Sequence, residues 1–324
     1  MNEPSPDLAS LLAEHNLTGA AEAELEHTGF SGARITSLRR ADGARFVLKR
    51  LSIERDWIMR ATDDLACREA RFATYQPALG EGIATPALGV ACDGDGFALL
   101  MDDITEHLLP QGPIAEPQFD MIIAGMAALH ALPLPEASLV PWCDVRQRLL
   151  LLTPDHARIA AEYGAPVARD LMRGWELFDH LAPPSVVELI RGLAEDPSRL
   201  IDLLAPLPAS LLHGDLKLDN IGLDASGRLW LIDWAMPMLA PPAIDLGWFL
   251  AINSRRLPFT LDETIHRYAA AAGIAREQRA LHDAAAVLCG LLLRGWRKAI
   301  DASEGEPDEL RWWCEQATEA RRVL

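Results

Sequence analysis

The chain has 324 residues, of which 50% are hydrophobic and 24% charged, with a formal charge of −17. That length suits two lobes sharing a cleft better than one small core. The acid excess argues against nucleic acid or an anionic membrane surface as a partner, and no apolar run approaches the ~20 residues that span a bilayer.

Residues 1–7 are acidic and contain proline, unlike a basic and apolar leader, so a cytoplasmic address is expected. Residues 22–27 and 34–38 read as strands around Thr28-Gly29-Phe30-Ser31-Gly32-Ala33. Two glycines permit a tight turn there, and free amides or the Ser31 hydroxyl can meet a phosphate oxygen, although an ordinary hairpin looks the same. The segment is neither a G-x-G-x-x-G nor a P-loop. Phe46-Val47-Leu48-Lys49 is a strand ending in a lysine. Asp63 to Tyr75 predicts a helix with Leu65, Phe72 and Tyr75 near one face, and it carries Glu69. Phe97 to Met101 is an apolar strand that runs into Asp102-Asp103. Beyond it helices are predicted over 117–132, 144–152, 262–272, 276–299 and 308–323, separated by proline-rich breaks at 132–141, 182–184 and 206–208. The five cysteines are scattered with no C-x-x-C pair, which predicts buried thiols and no disulfide framework or structural zinc.

Between those helices lies LLHGDLKLDNIGLDASGRLWLIDW, residues 211–234. Ile221–Leu223 and Leu229–Ile232 read as short strands, and Asp-Ala-Ser-Gly between them carries turn residues, so a hairpin returns Asp233 toward Asn220. Phosphoryl transfer needs an acceptor for a hydroxyl proton and oxygen ligands for the magnesium that neutralises nucleotide phosphates. Asp215, Asn220 five residues later, and Asp233 have that chemistry.

HGDLKLDN followed by LIDW resembles the phosphotransferase family that includes aminoglycoside phosphotransferases, choline kinases and fructosamine kinases. Protein kinases have H-R-D and D-F-G at these places, whereas here Gly214 follows His213 and Trp234 follows Asp233, as in the small-molecule branch. The resemblance implies an α+β, two-lobed protein-kinase-like fold, with a sheet-rich N-lobe over residues 1–101 and a mainly helical C-lobe over 102–324. It implies a catalytic pair, Asp215 and Lys217, and magnesium ligands Asn220 and Asp233. Lys49 would hold the nucleotide phosphates and Glu69 would orient it, with Glu54, Asp56, Asp63 and Asp64 as rivals for that role. Only three lysines stand against twenty-seven arginines, and two fall in these segments, where a compact ammonium and a planar guanidinium are not interchangeable. Ser31 and Gly32 would cover the phosphates, and backbone groups around Met101, Asp102 and Asp103 would meet the base of ATP or GTP. Asp245 would buttress the catalytic loop, or cap a helix from Leu246. Ala235 and Leu218 depart from frequent family residues without removing a catalytic group.

The implied activity is transfer of the terminal phosphate of ATP or GTP, with Mg2+, to a hydroxyl of a small acceptor. Two other readings are a catalytically silent nucleotide-binding relative and a kinase of proteins. Silence fits poorly because Lys49, Asp215, Asn220 and Asp233 are all retained. Only eleven residues, with three prolines and no hydroxyl side chain, separate Asp233 from Asp245, which leaves no room for an activation segment. Residues 102–324 hold 20 basic and 32 acidic side chains, a balance of −12, compatible with a cationic acceptor such as an aminoglycoside or amino sugar. Nine tryptophans against three tyrosines admit an aromatic cage, but core packing is the commoner use. Asn253, Arg255 and Arg256 either rim the acceptor pocket or form a solvated loop.

Overall fold

The computed structural model describes residues 4–25 and 31–324. Among them the strands are β1 (Ala21–Glu24), β2 (Arg34–Arg39), β3 (Arg45–Leu51), β4 (Ile83–Ala84), β5 (Ala87–Asp93), β6 (Gly96–Asp102), β7 (Ser210–Leu212), β8 (Ile221–Leu223), β9 (Leu229–Leu231) and β10 (Met238–Ala240). One antiparallel sheet has the order β1-β2-β3-β6-β5. The two-residue period of β3 sorts its side chains between two covers. Phe46 and Leu48 pack with Leu38, Leu100 and Leu11 of the helix Leu8–Glu14. Leu51 packs with Leu99, Val90, Ala70 and Ala73 on the other face, under the helix Arg68–Tyr75. Lys49 shares the parity of Leu51, so it points at that helix rather than at water.

The helix predicted over Asp63–Tyr75 is shorter. Trp57–Ala61 forms one turn of its own, Asp63 and Cys67 take φ of 48° and 53°, and the helix proper begins at Arg68. The Asp64 carboxylate accepts the Arg68 amide at 2.8 Å, which satisfies a first-turn donor and favours a start there. Leu65, expected on the buried face, is 77% exposed.

After β6 the chain is mainly helical, and its long central helix is Arg276–Ser303. Ala243–Asn253, Val167–Leu181 and Asp308–Ala320 pack against it. Glu116–His130, Val145–Leu150, Leu261–Ala271 and Asp308–Ala320 lie where helices are predicted. Pro154–Glu162, Val167–Leu181, Pro184–Glu195 and Ser198–Leu204 go beyond that set. Pro154 and Pro184 stand in the first turn, where a missing N–H costs nothing, so a proline that reads as a break also starts a helix. β7 pairs with β10, the β8–β9 hairpin forms as predicted, and β4 adds to β9 in parallel, tying the segment before β5 to the hairpin.

Four of the five cysteines are buried and unpaired, whereas Cys92 is exposed. Among the described residues no helix is long and apolar enough to cross a membrane.

Candidate active site

β7 delivers the chain into the loop His213–Asn220. Gly214 turns it with φ of 79°, and a Cβ there would sit 1.9 Å from the Met236 carbonyl oxygen. Gly214→Ala is therefore expected to lower the melting temperature measurably, since left-handed backbone alone costs about 1–3 kcal/mol at a non-glycine residue. An unchanged melting curve would show that the loop can shift away from Met236.

The loop is held from below by one buried carboxylate. Asp245 Oδ2 accepts the His213 amide at 2.9 Å and Oδ1 accepts the Gly214 amide at 3.0 Å. Asp245 lies inside the first turn of Ala243–Asn253 and caps no helix, so the buttress reading replaces the cap. His130 Nε2 stands 3.3 Å from Asp245 Oδ2, and its Nδ1 is 2.7 Å from the Tyr268 hydroxyl. Because the carboxylate can only accept, the His130 proton belongs on Nε2 and Tyr268 donates to Nδ1. Burial pushes the Asp245 carboxyl up, but His130, His213 and the amides outweigh it and hold the group below the usual carboxylate range. Burial likewise lowers the His213 imidazole, which keeps it neutral.

Three further side chains hold the loop in ways not legible in the sequence. Asn253 Oδ1 accepts the Leu218 amide at 3.0 Å, and Asn253 is 2% exposed, so it is neither a pocket rim nor a solvated loop. Arg256 spans to Asp219 and to the carbonyls of Pro110 and Gly112, and Arg255 pairs with Asp301 and Glu306. Arg148 is fully buried and donates from Nε to the Gly214 carbonyl at 2.6 Å. An arginine on an amphipathic helix reads as surface, and only tertiary placement shows otherwise.

Within the loop, Lys217 Nζ is 2.8 Å from Asp215 Oδ2. Asn220 Nδ2 donates to the Asp215 carbonyl at 2.9 Å and to its Oδ2 at 3.1 Å. Both side-chain bonds fall on Oδ2, so among the described residues Oδ1 of Asp215 and the amide oxygen of Asn220 are left for other partners. The hairpin then brings back the second acid, with Ile232 N bonded to the Asn220 carbonyl at 3.1 Å. Asp233 has φ of 66°, a left-handed conformation that an aspartate tolerates at moderate cost.

Lys49 joins the two halves. Its Nζ lies 2.7 Å from Asp233 Oδ1, and 2.9 and 2.7 Å from the two Glu69 oxygens. Burial pulls the ammonium pKa down, but the Asp233 and Glu69 charges more than reverse this, so Lys49 stays protonated. Burial works against Asp233 too, and Lys49 and Lys217 hold its carboxyl below the ordinary value. Among the rivals for Glu69, Asp56 caps the helix Trp57–Ala61 and Asp64 accepts from Arg68. Neither is hydrogen-bonded to Lys49.

The helix carrying Glu69 is fixed to the lower part by Arg68, which is 3% exposed. Arg68 donates to the carbonyls of Pro141 at 2.7 Å and Ala235 at 3.3 Å. Phe72 stacks on Trp234 at 4.3 Å, and Trp234 packs on His213 at 4.4 Å. Trp234 is thus core between two lobes and no part of a ligand cage.

At the upper edge, Thr28, Gly29 and Phe30 lie outside the described residues. Ser31 is half-buried, its hydroxyl 3.5 Å from the Ala33 amide. Gly32 has φ of 89°, and a Cβ there would meet the Arg55 carbonyl oxygen at 2.4 Å. Close backbone packing against Arg55 requires a glycine here. Met101 and Asp102 end β6, where the Asp102 amide donates to the Pro86 carbonyl and the Asp103 amide to the Arg45 carbonyl. Those two amides are committed to the protein.

An antiparallel sheet set on helices, with this loop and hairpin between them, is the protein-kinase-like fold. The chain belongs to the phosphotransferase enzyme family (APH), whose sequence pattern matches residues 31–282. Three solved structures share the fold. The choline kinase LicA from Streptococcus pneumoniae is 14% identical, with 97% of this chain and 99% of that chain covered and a TM-score of 0.54. An ethanolamine kinase from Plasmodium vivax is 14% identical, covering 98% and 88%, with a TM-score of 0.53. An aminoglycoside-3'-phosphotransferase of type VIII is 20% identical, covering 84% and 95%, with a TM-score of 0.50. No curated protein matches the sequence.

Proposed function

We propose that the protein transfers the terminal phosphate of a nucleoside triphosphate, ATP or GTP, to a hydroxyl of a small acceptor. The observation that carries this is Asp215, whose Oδ2 is pinned by Lys217 and Asn220 while Oδ1 is left for an incoming hydroxyl. Asp215 orients that hydroxyl and takes its proton, and Lys217 lies within reach to meet charge on the transferring phosphate. Lys49 contacts the nucleotide phosphates, and Glu69 keeps its ammonium in place. The oxygens of Asn220 and Asp233 that are left free among the described residues are hard donors that would hold Mg2+, which would neutralise phosphate charge there. Ser31 and Gly32 cover the phosphates, and the carbonyls around Met101, Asp102 and Asp103 meet the base. The nucleotide cleft lies between residues 1–101 and residues 102–324.

A silent nucleotide-binding relative is the alternative, and the intact Lys49–Glu69–Asp233 network together with Asp215 favours catalysis over it. An acid excess over residues 102–324 draws cations such as aminoglycosides or amino sugars from a distance, but groups in contact with the acceptor decide what stays bound. The test is coupled ADP release across aminoglycosides, macrolides, amino sugars, sugar acids, choline analogues and nucleosides. Acceptor-dependent ADP formation is expected for at least one class. Nucleotide binding with no acceptor-stimulated turnover in any class would favour the silent relative.

A further inference from the structure

Next to the Gly214 carbonyl the helical lobe gathers two guanidinium groups around one indole ring. Arg148 stacks on the Trp248 ring with its Cζ 4.6 Å from the centroid. The Arg294 guanidinium lies 5.9 Å from the same ring and 4.9 Å from that of Trp296. Four buried donors without a hydrogen-bond partner meet here: Nη1 and Nη2 of Arg148, Nε of Arg294 and Nε1 of Trp248. All four donate and none can accept. Nearby carboxylates lie against other cations, Asp301 against Arg297 at 2.8 Å and Arg255 at 3.2 Å, and Glu309 against Lys298, although Asp301 Oδ1 is itself a buried acceptor without a hydrogen bond. Arg294 makes no salt bridge among the described residues, yet it is half-buried rather than out in water. Burial lowers both arginines, and Asp215 is among the anions that offset this, which puts both within its electrostatic reach.

A buried guanidinium nitrogen without a hydrogen-bond partner is costly to a folded protein, and three of them around one indole ring call for an explanation. Arg148 has one in part, because its Nε holds the Gly214 carbonyl. Arg294 Nε has none among the described residues. We propose that the acceptor pocket beside Asp215 is built for a hydroxylated molecule bearing an anionic group, a carboxylate or a phosphate, which Arg294 binds, with Arg148 supporting it from the same Trp248 ring. This rests on the kinase reading and deepens it. It reverses the expectation of a cationic acceptor drawn from the −12 balance of residues 102–324, because a charge in contact outweighs charges beyond a Debye length of ~8 Å. The planar fork of an arginine matches the two oxygens of either anion.

Glucosamine, glucose, glucuronate and glucose 6-phosphate put a cation, no charge, a carboxylate and a phosphate on one hexose frame. Each is titrated calorimetrically into the full chain loaded with Mg-ADP. Glucuronate or glucose 6-phosphate is expected to bind at least roughly tenfold tighter than glucosamine, and their ratio separates carboxylate from phosphate. Arg294→Gln is expected to erase that preference, and Arg294→Lys, which keeps the charge but loses the fork, to reduce it. Tighter glucosamine, no preference including no detectable binding of any probe, or a preference that survives Arg294→Gln would overturn the proposal. Should Arg294→Gln fail to fold, the Arg294→Lys comparison decides in the same way. If Mg-ADP itself does not bind, the kinase reading falls and takes the proposal with it.

Discussion

Asp215→Ala is expected to cut turnover by about 10²- to 10⁴-fold while nucleotide affinity stays nearly unchanged. The carboxylate touches neither Lys49 nor Asp233, and its side-chain partners are Lys217 and Asn220. On the proposed roles, removing it would free Lys217 and take away the base while leaving Lys49, Glu69 and Asp233 in place. The loss should therefore appear in kcat with whichever acceptor supports turnover, and calorimetry with Mg-nucleotide should give nearly the wild-type affinity. Wild-type turnover in the variant would show that Asp215 is not the base. A large loss of nucleotide affinity would assign it to phosphate binding instead.

Asp245→Ala is expected to be the most damaging change to the loop itself. The side chain is fully buried and accepts the His213 and Gly214 amides, with His130 as a third partner. Each buried donor left without an acceptor costs about 1–3 kcal/mol, so the two amides alone predict a loss of roughly 2–6 kcal/mol in chemical denaturation. Activity should fall further than the folded fraction does, because the same amides set the backbone that carries Asp215. A loss below about 1 kcal/mol would mean that water or a moved His130 replaces the carboxylate.

The candidate site was legible in the sequence where short spacing and distinct chemistry coincide. HGDLKLDN and its hairpin occupy one local unit, so Asp215, Lys217, Asn220 and Asp233 could be picked out without tertiary knowledge. Lys49 and Glu69 are separated by twenty residues and meet because strand parity turns Lys49 toward the helix Arg68–Tyr75. That pairing was found through resemblance, and the left-handed turns at Asp63 and Cys67, which delay the helix, were not. Arg68, Arg148, Asn253 and Arg294 act through burial at sites far along the chain, and nothing in local pattern separates them from surface polar residues. Net charge is a weak guide for a related reason. A sum over residues 102–324 carries no information about which side chains line a pocket, and the arginines beside Asp215 oppose its sign.

The central claim is that a magnesium nucleotide sits between Lys49 and the Asn220–Asp233 pair. Calorimetric titration of ATP and GTP, with and without Mg2+, into the wild-type chain and Asp233→Ala tests it most directly. The account predicts that at least one nucleotide binds the wild type only when Mg2+ is present, and that Asp233→Ala loses most of that binding. No binding of either nucleotide at millimolar concentration, or metal-independent binding that Asp233→Ala leaves intact, would contradict it.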